Sequence, residues 1–144
     1  MDTALGHVDL EYLRLWFQAF VFTQAVEVPI WMAGLDGSWK RRFAIGFGAS
    51  ALTHPLVWYV IPGLMEPNAL AGLVLRVAGP SALVTDDGSF TYATYLVTAE
   101  LYAWLFEAAY ARGFGLKRAV LWSLLANGGS LGLGELTRYL WGWP

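Results

Sequence analysis

The chain has 144 residues, of which 57% are hydrophobic, 16% aromatic and 14% charged. A soluble domain carries about 25% charged residues, so this composition, with a mean hydropathy of +0.48, indicates a membrane protein. The net charge of -2 and the clustering of basic residues in two short loops argue against a nucleic-acid partner. The lack of cysteine excludes disulfides, thiolate metal sites and cysteine nucleophiles.

Four apolar segments reach the length of about 20 residues that a membrane helix needs. The predicted spans cover residues 10–34, 42–64, 90–112 and 117–141. We therefore predict an all-α integral membrane protein with a single membrane domain. Pro29 and Pro55 lie inside predicted spans and are expected to bend them. The N-terminal residues lack the positive charge of a signal peptide, so the first helix is expected to be retained.

The loop charges predict the orientation of the chain. The first connection is basic at residues 40–42 and the third at residues 112–118, whereas the second carries three acidic residues and one arginine. By the positive-inside rule the first and third connections are cytoplasmic, and both termini lie outside. The outer loop, residues 65–89, is predicted to hold a short interfacial helix or to be a simple loop. We expect the protein in a bacterial cytoplasmic membrane.

The two halves of the chain share a pattern of polar residues. In each half a glutamate precedes a basic loop, and two polar residues at i,i+3 spacing follow that loop. The first half contributes Glu27, Ser50 and Thr53, and the second contributes Glu107, Asn127 and Ser130. The pattern predicts two helical hairpins of the same orientation, a parallel repeat. Convergent placement of polar residues would give the same pattern without duplication.

Polar residues inside membrane helices are costly, so they mark a bundle interior, a cavity or a pathway. Counting the helical rise from the cytoplasmic ends places such residues from all four helices in one zone near the middle of the membrane. The candidate binding or proton-relay residues are Glu27, Ser50, Thr53, His54, Glu100, Glu107, Asn127 and Ser130. Glu107 is expected nearest the cytoplasmic interface, within reach of Arg112 or Lys117.

His54 and Glu100 are predicted to lie at the same depth. A carboxylate beside an imidazole favours the charged form of each group, whereas burial favours the neutral forms, so the pair is a candidate proton acceptor. A neutral His54 that hydrogen-bonds a neighbour and sets the helix register fits the pattern equally well. Glu27 has two corresponding interpretations, a cation or proton site, or a protonated cross-link to Ser50 or Asn127.

The sequence predicts neither a metal site nor a cofactor. The Glu-x-x-His pairs of a di-iron bundle are missing, and His54 is the only histidine inside a predicted span. Gly128 and Gly132 are four residues apart, a spacing that predicts a helix-packing surface. That surface would meet another helix of this chain or a helix of a partner.

Three functions remain open from the sequence. The first is a non-enzymatic membrane protein that binds or translocates a proton, a small cation or a polar solute. The second is an accessory subunit of a larger membrane complex, in which the polar residues only cross-link the helices. The third is a membrane enzyme with Glu100 and His54 as general acid and base, although no catalytic residue is assigned. The expected partners are the lipid bilayer and further copies of the chain or other membrane subunits.

Overall fold

The computed structural model describes residues 10–64 and 92–142, which are helical apart from two short connections. The helices are α1 (Leu10–Gly34), α2 (Trp39–Pro55), α3 (Tyr92–Gly113) and α4 (Ala119–Trp141). After α2 the chain continues through a π-helical segment, Leu56–Val60, and a last turn, Ile61–Leu64. The all-α class is confirmed for the described residues. The predicted outer loop, residues 65–89, lies outside them.

The four helices pack as a ring in which α1 and α3 each contact both α2 and α4. The two hairpins have the same orientation, because one arginine ties their connections together. Arg41, in the first turn of α2, donates one hydrogen bond to the carbonyl of Asp36 in its own connection. It donates a second, at 3.0 Å, to the carbonyl of Phe114 in the connection between α3 and α4. Both connections therefore lie at one end of the bundle.

Local capping explains why the connections are short. Ser38 precedes α2, and its side chain accepts a hydrogen bond from the backbone N–H of Arg41 at 3.4 Å, as an N-cap does. After α3, Gly115 adopts a φ of +88°, and the N–H of Leu116 donates to the carbonyl of Ala111 at 3.2 Å. This left-handed glycine with a backward hydrogen bond is a common helix terminator.

The half of the bundle nearest the connections has a solid apolar core. Small residues let the helices approach closely there, and Trp31, which is fully buried, fills the space between them. Gly46 of α2 packs directly on this tryptophan, since a Cβ at Gly46 would lie 2.8 Å from the Cβ of Trp31. The core is formed by Trp31, Leu35, Ile45, Ala49, Ala111, Leu116, Ala119 and Ala126.

Large apolar side chains cover the outside of the described helices. Leu101 and Leu105 of α3 and Leu124 and Leu125 of α4 are about half exposed. One described stretch, Trp39–Val60, is long and apolar enough to cross a membrane. The four spans predicted from the sequence therefore remain a prediction.

Candidate functional site

Glu27 is a carboxylate buried in the middle of the bundle, with a side chain that is only 2% exposed. It accepts a hydrogen bond from the hydroxyl of Ser50 on α2. It accepts a second, at 2.5 Å, from the hydroxyl of Ser130 on α4. The sequence predicts Ser50 or Asn127 as the partner of Glu27. Ser50 does donate to Glu27, but the second donor is Ser130 and not Asn127. Glu27 therefore connects α1 to both of its neighbours.

Glu107 makes the equivalent contacts from α3. Its side chain is 1% exposed and accepts hydrogen bonds from the Thr53 hydroxyl and from the Asn127 amide, each at 2.7 Å. The partners of Glu107 are therefore Thr53 and Asn127, and the bonds shown for the described residues include none from Arg112 or Lys117 to Glu107. Glu107 lies six residues before the end of α3, and Glu27 lies seven before the end of α1, so the two carboxylates have nearly the same depth.

The hydrogen bonds of the two glutamates form a closed ring that crosses all four helix interfaces. Each carboxylate accepts from the first polar residue of its own hairpin and from the second polar residue of the other hairpin. The two halves of the chain are thus equivalent in their contacts as well as in their residue pattern. We call this set the carboxylate ring: Glu27, Ser50, Thr53, Glu107, Asn127 and Ser130.

A cavity of about 580 Å³ extends from the carboxylate ring toward the end of the bundle opposite the connections. Its inner end is lined by ring residues, among them both glutamates. Its walls come from the first halves of α1 and α3, the last part of α4 and the chain after Ala51. At its other end lie Tyr12, Pro62, Tyr95 and Arg138. Arg138 is paired there with Glu135 on its own helix.

His54 lies in an aromatic environment beside this cavity. Its ring is 5.3 Å from the ring of Phe20, 5.9 Å from that of Trp16 and 5.8 Å from that of Trp58, measured between centroids. The side chain is 8% exposed, and its Nε2 has no hydrogen-bond partner among the described residues. His54 and Glu100 both line the cavity, but no hydrogen bond joins them in the described part of the chain.

Sequence reasoning does not predict this aromatic cluster, because tryptophans in apolar spans are typical of helix ends and general packing. A signal is nevertheless present. Trp16 and Phe20 share one face of α1 at i,i+4 spacing, and His54 and Trp58 are also four residues apart. Two such pairs on adjacent helices bring four rings together when the helices pack.

The π-helical segment forms part of the cavity wall and exposes backbone carbonyls. The N–H of Ile61 bonds to the carbonyl of Leu56, one residue further back than in an α-helix, and Pro62 has no N–H to offer the next carbonyls. Two tyrosines replace the missing donors. The Tyr12 hydroxyl donates to the carbonyl of Trp58 at 2.6 Å, and the Tyr95 hydroxyl donates to that of Val57 at 3.1 Å.

The glycines of α4 divide between two faces. Gly129 faces Val26 and Ile30 of α1, whereas nothing among the described residues lies within 4 Å of a Cβ built at Gly128 or Gly132. Both of these glycines are exposed. The predicted packing surface therefore does not meet another described helix of this chain.

Residues 128–132 also read Gly-x-Ser-x-Gly, the sequence of a hydrolase nucleophile elbow. That motif works at a sharp strand-to-helix turn that exposes the serine hydroxyl. Here Ser130 lies within the continuous helix α4 and its hydroxyl donates to Glu27. The described geometry is therefore not that of an activated nucleophile.

Chemically, the site is a set of carboxylates in an apolar surround. Three glutamates, Glu27, Glu100 and Glu107, line the cavity, and the only lysine or arginine among its described lining residues is Arg138 at the far end. Within the described residues no three histidine or acidic side chains are grouped as metal ligands. Such an arrangement suits a proton or a cation without dedicated metal coordination.

Comparison of the chain with protein-family models, with curated proteins and with solved structures finds no match.

Proposed function

We propose that the chain is a polytopic membrane protein, in a bacterial cytoplasmic membrane, that binds or translocates a small cation or proton through its polar interior. One observation carries the proposal: the buried carboxylates of Glu27 and Glu107 lie at the inner end of a cavity of about 580 Å³. Ring residues from all four helices converge on this point, so a bound cation would contact every helix of the bundle.

The distribution of polar and apolar side chains supports a bilayer as the surrounding medium. Buried side chains include two glutamates, a histidine and an asparagine, whereas many leucine and phenylalanine side chains lie on the outside. Soluble proteins rarely expose large continuous apolar surfaces. A membrane bundle with a polar interior requires this inverted arrangement, because its outer surface faces hydrocarbon.

The charge balance of the interior supports a cationic occupant. Burying a carboxylate without a positive partner is costly, and the hydroxyl and amide donors of the carboxylate ring offset only part of that cost. Two basic residues at the first connection are engaged elsewhere, since Arg41 and Arg42 donate to the carbonyls of Asp36, Phe114 and Met32. A proton or a small cation would supply the missing positive charge.

The test is cation and proton flux in proteoliposomes that contain the purified protein. We expect the wild type to dissipate an imposed proton or monovalent-cation gradient. Glu27→Gln and Glu107→Gln, which keep the side-chain volume but remove the charge, are expected to lower the flux about tenfold or more, because a charge-assisted contact is lost. Asp36→Asn changes an exposed carboxylate in the first connection and serves as the matched control. Unchanged flux in both ring variants would contradict the proposal.

A second function, as a subunit of a larger membrane assembly, is favoured by one observation. Gly128 and Gly132 form an uncovered small-residue surface on α4, of the kind that lets membrane helices approach closely. Gly128→Leu with Gly132→Leu is expected to abolish any oligomer or complex of the protein extracted in mild detergent, as measured by light scattering. A particle of unchanged mass in this variant would exclude the glycine surface as the contact.

A further inference from the structure

Five of the residues that line the cavity donate their hydrogen bonds to other groups of the protein. At the outer end, the hydroxyls of Tyr12 and Tyr95 donate to the backbone carbonyls of Trp58 and Val57. A hydroxyl has one hydrogen. Neither tyrosine therefore has a hydroxyl hydrogen to offer a ligand.

Donors at the inner end of the cavity also bond to other groups of the protein. The hydroxyls of Thr53 and Ser130 donate to Glu107 and Glu27. The Asn127 amide donates to Glu107 at 2.7 Å and to the carbonyl of Ser123 at 3.0 Å. A primary amide has two N–H groups, so Asn127 has none to spare. What these groups leave for a ligand is acceptor capacity.

His54 adds an acceptor that has no donor. Nε2 has no hydrogen-bond partner among the described residues. A neutral imidazole with its hydrogen on Nδ1 holds a lone pair on Nε2, which can accept a hydrogen bond from a ligand. This side chain is 8% exposed and lines the cavity, and a buried acceptor without a donor is costly.

Glu100 is the second acceptor without a donor. It lines the cavity between the carboxylate ring and the tyrosines, and it accepts no hydrogen bond from the described residues. Its carboxylate can therefore receive donors from a ligand without breaking a contact within the protein. His54 and Glu100 would therefore both bind a ligand that has several N–H or O–H groups, and the Glu100 carboxylate favours a ligand with a positive charge.

The cavity is also larger and more apolar than an inorganic ion requires. Its volume is about 580 Å³, which lies within the range of pockets for small organic molecules. Leu15, Phe22, Leu96 and Leu131 from three helices form much of the wall. A ligand that fills this space has an apolar body as well as a charged end.

We propose, building on the proposed function, that the ligand is a primary organic ammonium with an apolar body, whose ammonium group is held by Glu100 and His54. The N–H groups of an ammonium match the acceptors of the Glu100 carboxylate, the His54 imidazole and the Tyr12 oxygen. The apolar body lies against the leucine and phenylalanine side chains.

The test is calorimetric titration of the full chain, purified in detergent, with phenethylammonium and with its uncharged analogue phenethyl alcohol. We expect saturable binding of the ammonium and none of the alcohol. Glu100→Gln is expected to weaken ammonium binding about tenfold or more, because it removes a charge-assisted hydrogen bond. Glu100→Asp, which restores the charge, is expected to recover part of the affinity. Asp36→Asn is the control for a carboxylate outside the cavity, and circular dichroism verifies that each variant is folded.

The outcomes separate this inference from the proposed function. Equal binding of the alcohol, or full affinity in a folded Glu100→Gln variant, would overturn the ammonium ligand. Flux of protons, sodium or potassium that depends on Glu27 and Glu107, with no binding of phenethylammonium, would also overturn it while leaving the proposed function in place. Absence of all cation flux and all ammonium binding in the folded wild type would overturn both.

Discussion

Gly46 offers the sharpest test of how the solid half of the bundle is packed. A Cβ added there would lie 2.8 Å from the Cβ of Trp31 and 3.6 Å from both its Cγ and the carbonyl oxygen of Val28. Carbon atoms in optimal contact are about 3.5–4.0 Å apart, so Trp31 or α2 would have to move by roughly an ångström. Trp31 is fully buried in the apolar core, so any movement of it would disturb the side chains packed around it.

We therefore expect Gly46→Ala to destabilise the protein. Overpacking a dense core costs about 1–3 kcal/mol, and replacing a helical glycine by alanine returns up to about 1 kcal/mol. The expected net loss is about 1–2 kcal/mol in the free energy of unfolding. The measurement is denaturant titration in mixed micelles, followed by tryptophan fluorescence.

Gly128→Ala is the matched control for this substitution. Gly128 also lies within a helix, but nothing among the described residues lies within 4 Å of the added Cβ. We expect this variant to be as stable as the wild type or slightly more stable, because only helix propensity changes. If Gly46→Ala and Gly128→Ala proved equally stable, the close approach of α1 and α2 around Trp31 would be refuted.

Two further predictions concern the carboxylate ring and the π-helical segment. Thr53→Val and Ser130→Ala each remove one donor from the carboxylate ring. Each is expected to lower the free energy of unfolding by about 1 kcal/mol, which is typical of a hydrogen bond between membrane helices. Equal stability of the double variant and the wild type in the same denaturant titration would contradict the carboxylate ring. Tyr12→Phe with Tyr95→Phe leaves two carbonyls of the π segment without donors, and faster hydrogen–deuterium exchange of that segment is expected by mass spectrometry. Tyr139→Phe, at an exposed site, is the control, and unchanged exchange in the double variant would argue against the tyrosine bonds.

The helices and the polar interior could be predicted because both leave periodic signals in the sequence. Apolar runs of spanning length predict the ends of the four helical stretches within three residues, when the π-helical segment and the last turn are counted with α2. Carboxylates and small polar residues inside such runs have to face one another, and the contacts of Glu27 and Glu107 follow that logic. The partners of Glu107 are predicted less accurately, because counting the helical rise from assumed boundaries gives Arg112 or Lys117 in place of Thr53 and Asn127.

The environment of His54 could not be obtained in this way. Helical periodicity gives the face on which a residue lies, but not which neighbouring helix meets that face or how far the two have slid along each other. His54 packs against α1 through the rings of Trp16 and Phe20, and its predicted direct pairing with Glu100 is replaced by a shared cavity. The π-helical segment after Pro55 could not be predicted from the sequence either. A proline indicates that a helix is disturbed, but it does not indicate a π-helix.

The crossed hydrogen bonds of the carboxylate ring also bear on how such a protein could arise. Each hairpin contains one glutamate, which accepts two hydrogen bonds, and two donor side chains. One donor bonds to the glutamate of its own hairpin, and the other bonds to the glutamate of the second hairpin. Such a unit is self-complementary, so two identical copies related by a two-fold axis would satisfy each other completely. A symmetric dimer of single hairpins is thus a chemically complete ancestor for the present chain. Duplication and fusion of its gene would then leave each half free to acquire residues that the other lacks, such as His54 in the first half.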